Sequence, residues 1–99
     1  MEEATSSTQT KGPYQWLLGE DFTIYAIEGL KEHVSQELDL HEAFNLDLSQ
    51  VEEIDSSGIQ LLLALRAELF RKDKEFTISA MSPVVEKMID SYGLKDRLN

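Results

Sequence analysis

Asp55-Ser56-Ser57-Gly58-Ile59-Gln60-Leu61-Leu62-Leu63 is the stretch from which the fold can be read. From about Gly58 through Phe70 the apolar residues Ile59, Leu62, Leu63 and Leu69 recur at helical spacing, and the register turns from core to solvent around Leu65 and Arg66. Ser57 followed three residues later by Gln60 has the form of a capping box, in which the two side chains satisfy backbone N–H groups left open at a helix start. Upstream, Ala43-Phe44-Asn45-Leu46-Asp47-Leu48 alternates apolar and polar residues, the period of a strand with one face more buried than the other. Ser49 to Glu53 between them reads as a polar turn. Downstream, the charged turn Arg71-Lys72-Asp73-Lys74 leads into a strand over Glu75–Ala80. Ser82-Pro83 then opens a third helix, with Ser as cap and Pro at the first helical position, where its missing N–H costs nothing. Val85, Met88 and Ile89 are its apolar stripe, and Gly93 is placed to stop it.

Toward the amino terminus, Tyr14-Gln15-Trp16-Leu17-Leu18 is apolar and aromatic enough for a strand, and Gly19-Glu20-Asp21 is a turn out of it. Ile27, Leu30, Val34 and Leu38 share one face of a helix over about Ile24 to Leu38, with Thr23 as its cap. Gly29 inside it costs about 1 kcal/mol relative to Ala without reversing the pattern. Residues 1–13 are small, polar and charged and are expected to be a flexible tail, leaving 14–99 as a single domain. The order strand, helix, strand, helix, strand, helix predicts an α/β fold: a mainly parallel central sheet, right-handed crossovers and helices packed on it. Tyr14, Trp16 and Phe44 are expected in the core.

A chain of 99 residues, 41% of them hydrophobic, can bury one modest core. Its net charge of -10 repels nucleic acid and anionic lipid surfaces on average. The absence of cysteine removes disulfides, thiolate catalysis and the common zinc sets. The amino terminus has no basic region followed by an apolar stretch, and the run Leu61 to Leu65 is far short of the roughly 20 residues that span a bilayer. These features predict a cytoplasmic protein without membrane insertion, and no cofactor or metal site.

Within Asp55-Ser56-Ser57-Gly58 two readings compete. Helix capping accounts for the tetrapeptide as it stands, and for Ser57 in particular. Ser56 is the neighbouring hydroxyl available for chemistry. A phosphoryl group there would add about -1.5 to -2 charges close to the helix's amino end, which favours an anion, yet beside Glu52, Glu53 and Asp55. Such a modification alters a docking surface, which is what a switch requires.

The chain resembles the STAS domain, the family named for sulfate transporters and anti-sigma factor antagonists. The resemblance rests on Leu46-Asp47-Leu48-Ser49-Gln50-Val51, on Ile54-Asp55-Ser56-Ser57-Gly58-Ile59, on Ile78-Ser79-Ala80-Met81-Ser82-Pro83-Val84-Val85, and on Gly93-Leu94. Leu17 to Thr23 is similar to the family's Gly-Glu-Leu-Asp segment, so nearly everything from Trp16 to Leu98 is covered. The resemblance implies a non-catalytic phospho-switch of bacterial signalling. Such a protein binds a serine-protein kinase acting as anti-sigma factor, or a chemotaxis-type, histidine-kinase-like partner, and a phosphatase resets it. The family's modified serine follows the motif aspartate, which places phosphorylation at Ser56 and the switch loop at Asp55, Ser56, Ser57, Gly58 and Thr23. Two departures stand out. Gly19-Glu20-Asp21-Phe22-Thr23 is one residue longer than the family segment, with Thr23 where many antagonists carry Asp. The chain also looks C-terminally truncated, lacking the antagonists' final strand and helix. Thr23-Ile24-Tyr25 is more similar to STAS proteins of proteobacterial chemotaxis or two-component systems, and a STAS accessory subunit of a lipid or anion transport system is the alternative.

A serine hydrolase is the remaining reading, since Ser56, Asp55, His33 and His41 are nominal triad ingredients. A triad needs its base within hydrogen-bond reach of the nucleophile, and nothing in the order places either His near Ser56. Each is expected on a solvated face, His33 in the first helix and His41 in the turn after it. Tyr92, Leu94 and Leu98 are expected to face a second subunit in a homodimer if the missing elements leave surface uncovered.

Overall fold

A computed structural model describes residues 12–98. Five strands and three helices follow in the order β1 (Tyr14–Leu17), β2 (Asp21–Phe22), α1 (Ile24–Glu37), β3 (Ala43–Leu48), β4 (Glu53–Ile54), α2 (Ser56–Arg71), β5 (Glu75–Met81) and α3 (Pro83–Ser91). The alternation of strand and helix yields the expected parallel sheet, ordered β1-β3-β5, with β3 in the middle. Phe44, Leu46 and Leu48 of β3 are all buried, and Trp16 joins them from β1. Their alternate neighbours Gln15 and Leu17 on β1, and Glu75, Thr77 and Ser79 on β5, are exposed. One face of the sheet therefore carries the helices, and the period-two pattern dictates which face.

Thr23 caps α1 as expected, its hydroxyl accepting from the Tyr25 N–H, and Ser82 caps α3 with Pro83 in the first turn. Gly93 stops α3 at φ +69°, a conformation that L side chains rarely adopt. The Leu94 N–H returns to the Ile89 carbonyl at 3.0 Å and the Gly93 N–H to Asp90 at 3.0 Å, closing a Schellman motif. This turn carries Leu94 back onto the core, where it and Leu98 are buried. Both side chains are thus spent on this chain's own core, and only Tyr92 of that trio is exposed.

Ser49 to Glu53 is more than a polar turn. Val51 is buried, and Glu53–Ile54 forms β4, which pairs in parallel with β2 as a separate two-stranded ladder. The Glu52 and Glu53 N–H groups both donate to the Glu20 carbonyl, at 2.8 and 3.0 Å, which sews this loop to the turn before β2. Asp47 opens the loop: hydrogen bonds from the Ser49 hydroxyl and N–H hold its carboxyl below the usual range.

The two histidines do not lie on solvated faces. His41 is buried, its Nδ1 paired with the Gly12 carbonyl oxygen and its Nε2 with Glu37 Oε1, each at 2.9 Å. Of the tail expected over 1–13, residues 1–11 lie outside the described residues. His33 is half-buried, hydrogen-bonded to the Tyr14 hydroxyl and packed on Trp16 with ring centroids 5.1 Å apart. Aromatic residues at the start of β1 recruit both rings, a tertiary effect that helical periodicity does not report. Tyr14 is raised above its ordinary 10.0, first by burial and then by the Glu37 carboxylate. The unfolded chain loses this proton first as pH rises. The contribution to stability is thus complete below about pH 10 and drops away as pH climbs through the folded-state value. Tyr14→Phe is expected to flatten that part of the stability profile in urea melts. An alkaline decline identical in both proteins would show that Tyr14 is not its source.

Candidate functional site

Strands β2 and β4 are only two residues each, with Asp21 opposite Glu53 and Phe22 opposite Ile54. Each leads through a single residue into a helix, β2 through Thr23 into α1 and β4 through Asp55 into α2. Because the two strands run parallel and in register, the two cap residues emerge side by side. The amino ends of α1 and α2 therefore converge on one spot, each contributing unpaired N–H groups and the positive end of its dipole.

The Asp55 carboxylate fills that spot. Its Oδ1 accepts from the N–H of Ser57 at 2.9 Å and of Gly58 at 3.3 Å, capping α2. Its Oδ2 accepts from the N–H of Ile24, the first residue of α1 and 31 positions earlier in the chain, at 3.1 Å. One side chain thus clasps two helix starts. Capping was expected from Ser57 with Gln60; instead Asp55 is the cap and Ser56 and Ser57 form the first turn of α2, which begins two residues earlier than expected. An aspartate reaches the N–H groups two and three residues on with a carboxylate oxygen, a stronger acceptor than a hydroxyl, and so displaces Ser57 from that role. Thr23 has a parallel arrangement, its hydroxyl donating to Asp21 Oδ1 at 2.6 Å.

Ser56 is exposed beside this clasp, Ser57 is half-buried, and Gly58 is buried. A Cβ on Gly58 would stand 2.5 Å from the Phe22 carbonyl oxygen and 3.1 Å from Ile54 Cγ1. Glycine is required at this position for close approach: α2 lies directly against the end of β2. The five residues expected to form the site, Asp55, Ser56, Ser57, Gly58 and Thr23, are brought together. His33 and His41 are committed to other partners, Tyr14 for the one and Gly12 and Glu37 for the other, and among the described residues neither is hydrogen-bonded to Ser56. Among the described residues no group of three or more His, Asp or Glu side chains is arranged to hold a metal.

Ile24 and Tyr25, 57% and 91% exposed, flank the clasp on α1. From it a groove runs between the helices, lined by Ile24, Ile27, Ser57, Gln60, Leu61 and Ala64. The adjoining loops present Glu20, Asp21, Glu52 and Glu53, all exposed. Sequence reasoning noticed Glu52 and Glu53 but missed Glu20 and Asp21, which join them through the β2–β4 pairing and the backbone bonds to Glu20. It also left Ile24 and Tyr25 without a surface role. Their position outside the Ile27, Leu30, Val34 stripe was the available signal.

A family model described as "Mlab, STAS domain" matches residues 15–99. The chain belongs to the STAS family. The match spans every described element from Gln15 onward, including the β2-α1 and β4-α2 junctions that build the clasp. Comparison with curated proteins and with solved structures finds no match. STAS domains are generally non-enzymatic, and membership is consistent with a signalling or regulatory role. Among the described residues no helix is long and apolar enough to cross a membrane.

Proposed function

We propose that this STAS protein is a non-catalytic phospho-switch. With Ser56 free it binds an anti-sigma factor or histidine-kinase-like partner through the clasp and the Ile24–Tyr25 surface. With Ser56 phosphorylated it lets that partner go. The observation that carries the reading is the Asp55 carboxylate shared between two helix starts, with an exposed serine hydroxyl next to it. The phosphoryl comes from a nucleotide held by the kinase, replaces the hydroxyl proton of Ser56, and is removed by a phosphatase through hydrolysis. A helix amino end normally welcomes a phosphate, but here the N–H groups of Ser57, Gly58 and Ile24 already serve Asp55. A group carrying -1.5 to -2 charges must compete with that carboxylate or be repelled by it. Either outcome loosens the tie between α1 and α2 and shifts Ile24 and Tyr25, so charge and shape change together.

The test uses purified kinases of the two classes from the native cell. Incubation with the cognate one should place a single phosphate on Ser56, read by mass spectrometry of peptides. Ser56→Ala should retain partner affinity, while Ser56→Asp should lower it about tenfold, or roughly 1.4 kcal/mol, in titration calorimetry. Phosphate on another residue, or equal affinity for Ser56→Asp and wild type, would refute the switch. The large exposed apolar area of Ile24 and Tyr25 favours one second reading, a permanent docking face of an accessory subunit in a lipid or anion transport system. In that case the complex forms with a transport subunit and Ser56→Asp leaves it intact.

A further inference from the structure

A second surface lies at the other end of α2, some 14 residues and therefore about 21 Å along the helix from Ser56. Phe70 is 80% exposed one residue before the end of α2, an aromatic ring without a polar atom held out in water. It lines a groove whose other walls are Arg66, Lys74, Phe76 and Leu98. Leu98 is buried and Phe76 half-buried, so the floor is apolar and continuous with the core. The rim is cationic, and among the described residues no carboxylate lines the groove. Arg66 makes no ion pair or hydrogen bond among the described residues, unlike Arg71 and Lys72, which pair with Glu68. Lys74 is anchored by donation to the Leu38 carbonyl at 2.5 Å, a neutral acceptor that leaves its charge uncompensated. On a chain of net charge -10, this is a local reversal of sign around an apolar opening.

We propose that the Phe70 groove is a second docking site, distinct from the Ser56 face, for a short acidic segment of a partner protein that carries one large apolar side chain. The apolar side chain would lie against Phe70 and Phe76, and flanking carboxylates would meet Arg66 and Lys74. Charge complementarity selects this occupant: a basic segment is excluded at the rim, and an uncharged one gains nothing from Arg66. Aromatic and arginine side chains framing a small apolar depression are also the composition of interface hot spots. The site would let the protein hold one partner while the Ser56 face exchanges another.

Panning a random short-peptide display library against the full chain, with Phe70→Ala protein as counter-selection, tests this directly. Enriched peptides should combine acidic residues with an aromatic or aliphatic anchor. A synthetic peptide of the enriched sequence should perturb the amide resonances of Arg66 to Phe76 and leave Asp55 to Gly58 unmoved. Its affinity should fall at least about tenfold in both Phe70→Ala and Arg66→Glu, and weaken with added salt. Since both side chains are exposed, unchanged thermal melts will show that the fold survives each substitution. Enrichment of basic or uncharged peptides, binding that ignores both substitutions, or perturbations centred on Ser56 would overturn the proposal. So would concentration-dependent self-association abolished by Phe70→Ala, which would assign the groove to a second copy of the chain.

Discussion

Gly58→Ala is expected to destabilise the protein by about 3 kcal/mol, a large effect for the addition of one methyl group. Elsewhere in a helix this substitution is favourable, because alanine is the better helix former and restricts the unfolded chain. Here the new Cβ would lie 2.5 Å from the Phe22 carbonyl oxygen, a distance that real Cβ contacts essentially never show. The obstacle is backbone, which cannot rotate aside as a side-chain end can, and Ile54 and the Phe22 ring crowd the same point at 3.1 Å. The first turn of α2 must therefore lift from the end of β2, and Asp55 moves with it. Urea unfolding should show the loss, and amide exchange at Ile24 should rise as the clasp opens. A Gly58→Ala protein as stable as wild type, or more so, would mean that α2 does not approach β2 this closely.

Asp55→Ala should cost about 2 kcal/mol, because it removes a helix cap and also the acceptor of the hydrogen bond donated by the Ile24 N–H of α1. The two contributions can be separated. Asp55→Asn keeps one carbonyl-type oxygen, enough to cap α2, but its amide nitrogen cannot accept from the Ile24 N–H. It should cost about half as much, with faster amide exchange at Ile24 and near-normal protection at Ser57 and Gly58. Asp55→Ala should speed exchange at all three. If Ile24 exchanges at the wild-type rate in both variants, the carboxylate does not join the helices and the mechanism proposed for the switch loses its mechanical half.

Sequence patterns were most informative where one local preference and the tertiary structure agree. The alternation at Phe44, Leu46 and Leu48 marks the central strand, and the Ile27, Leu30 and Val34 spacing marks the inward face of α1. Ser82-Pro83 and Gly93 bound α3 by the chemistry of helix ends. Reading failed where a residue's role depends on a distant neighbour. Val51 and Ile54 sit in a stretch too polar and too short to signal a strand. Yet β4 forms because β2 lies beside it and the Glu20 carbonyl collects two of its loop's N–H groups. His41 is buried because Gly12 and Glu37 offer acceptors on both sides of its ring.

For the site itself, Asp55-Ser56-Ser57-Gly58 announced a helix start and an available hydroxyl, and the flanking motifs supplied the STAS resemblance. Those are local or collinear properties, so one chain suffices to read them. Which residue caps α2, why position 58 must be glycine, and how Asp55 reaches Ile24 are different in kind. They follow from two short parallel strands delivering two helix starts to the same place, and no spacing along the chain encodes a contact made across 31 residues. Local patterns specified the three long strands, the three helices and the tetrapeptide; the tertiary structure decided that the tetrapeptide's aspartate, rather than its second serine, holds the site together.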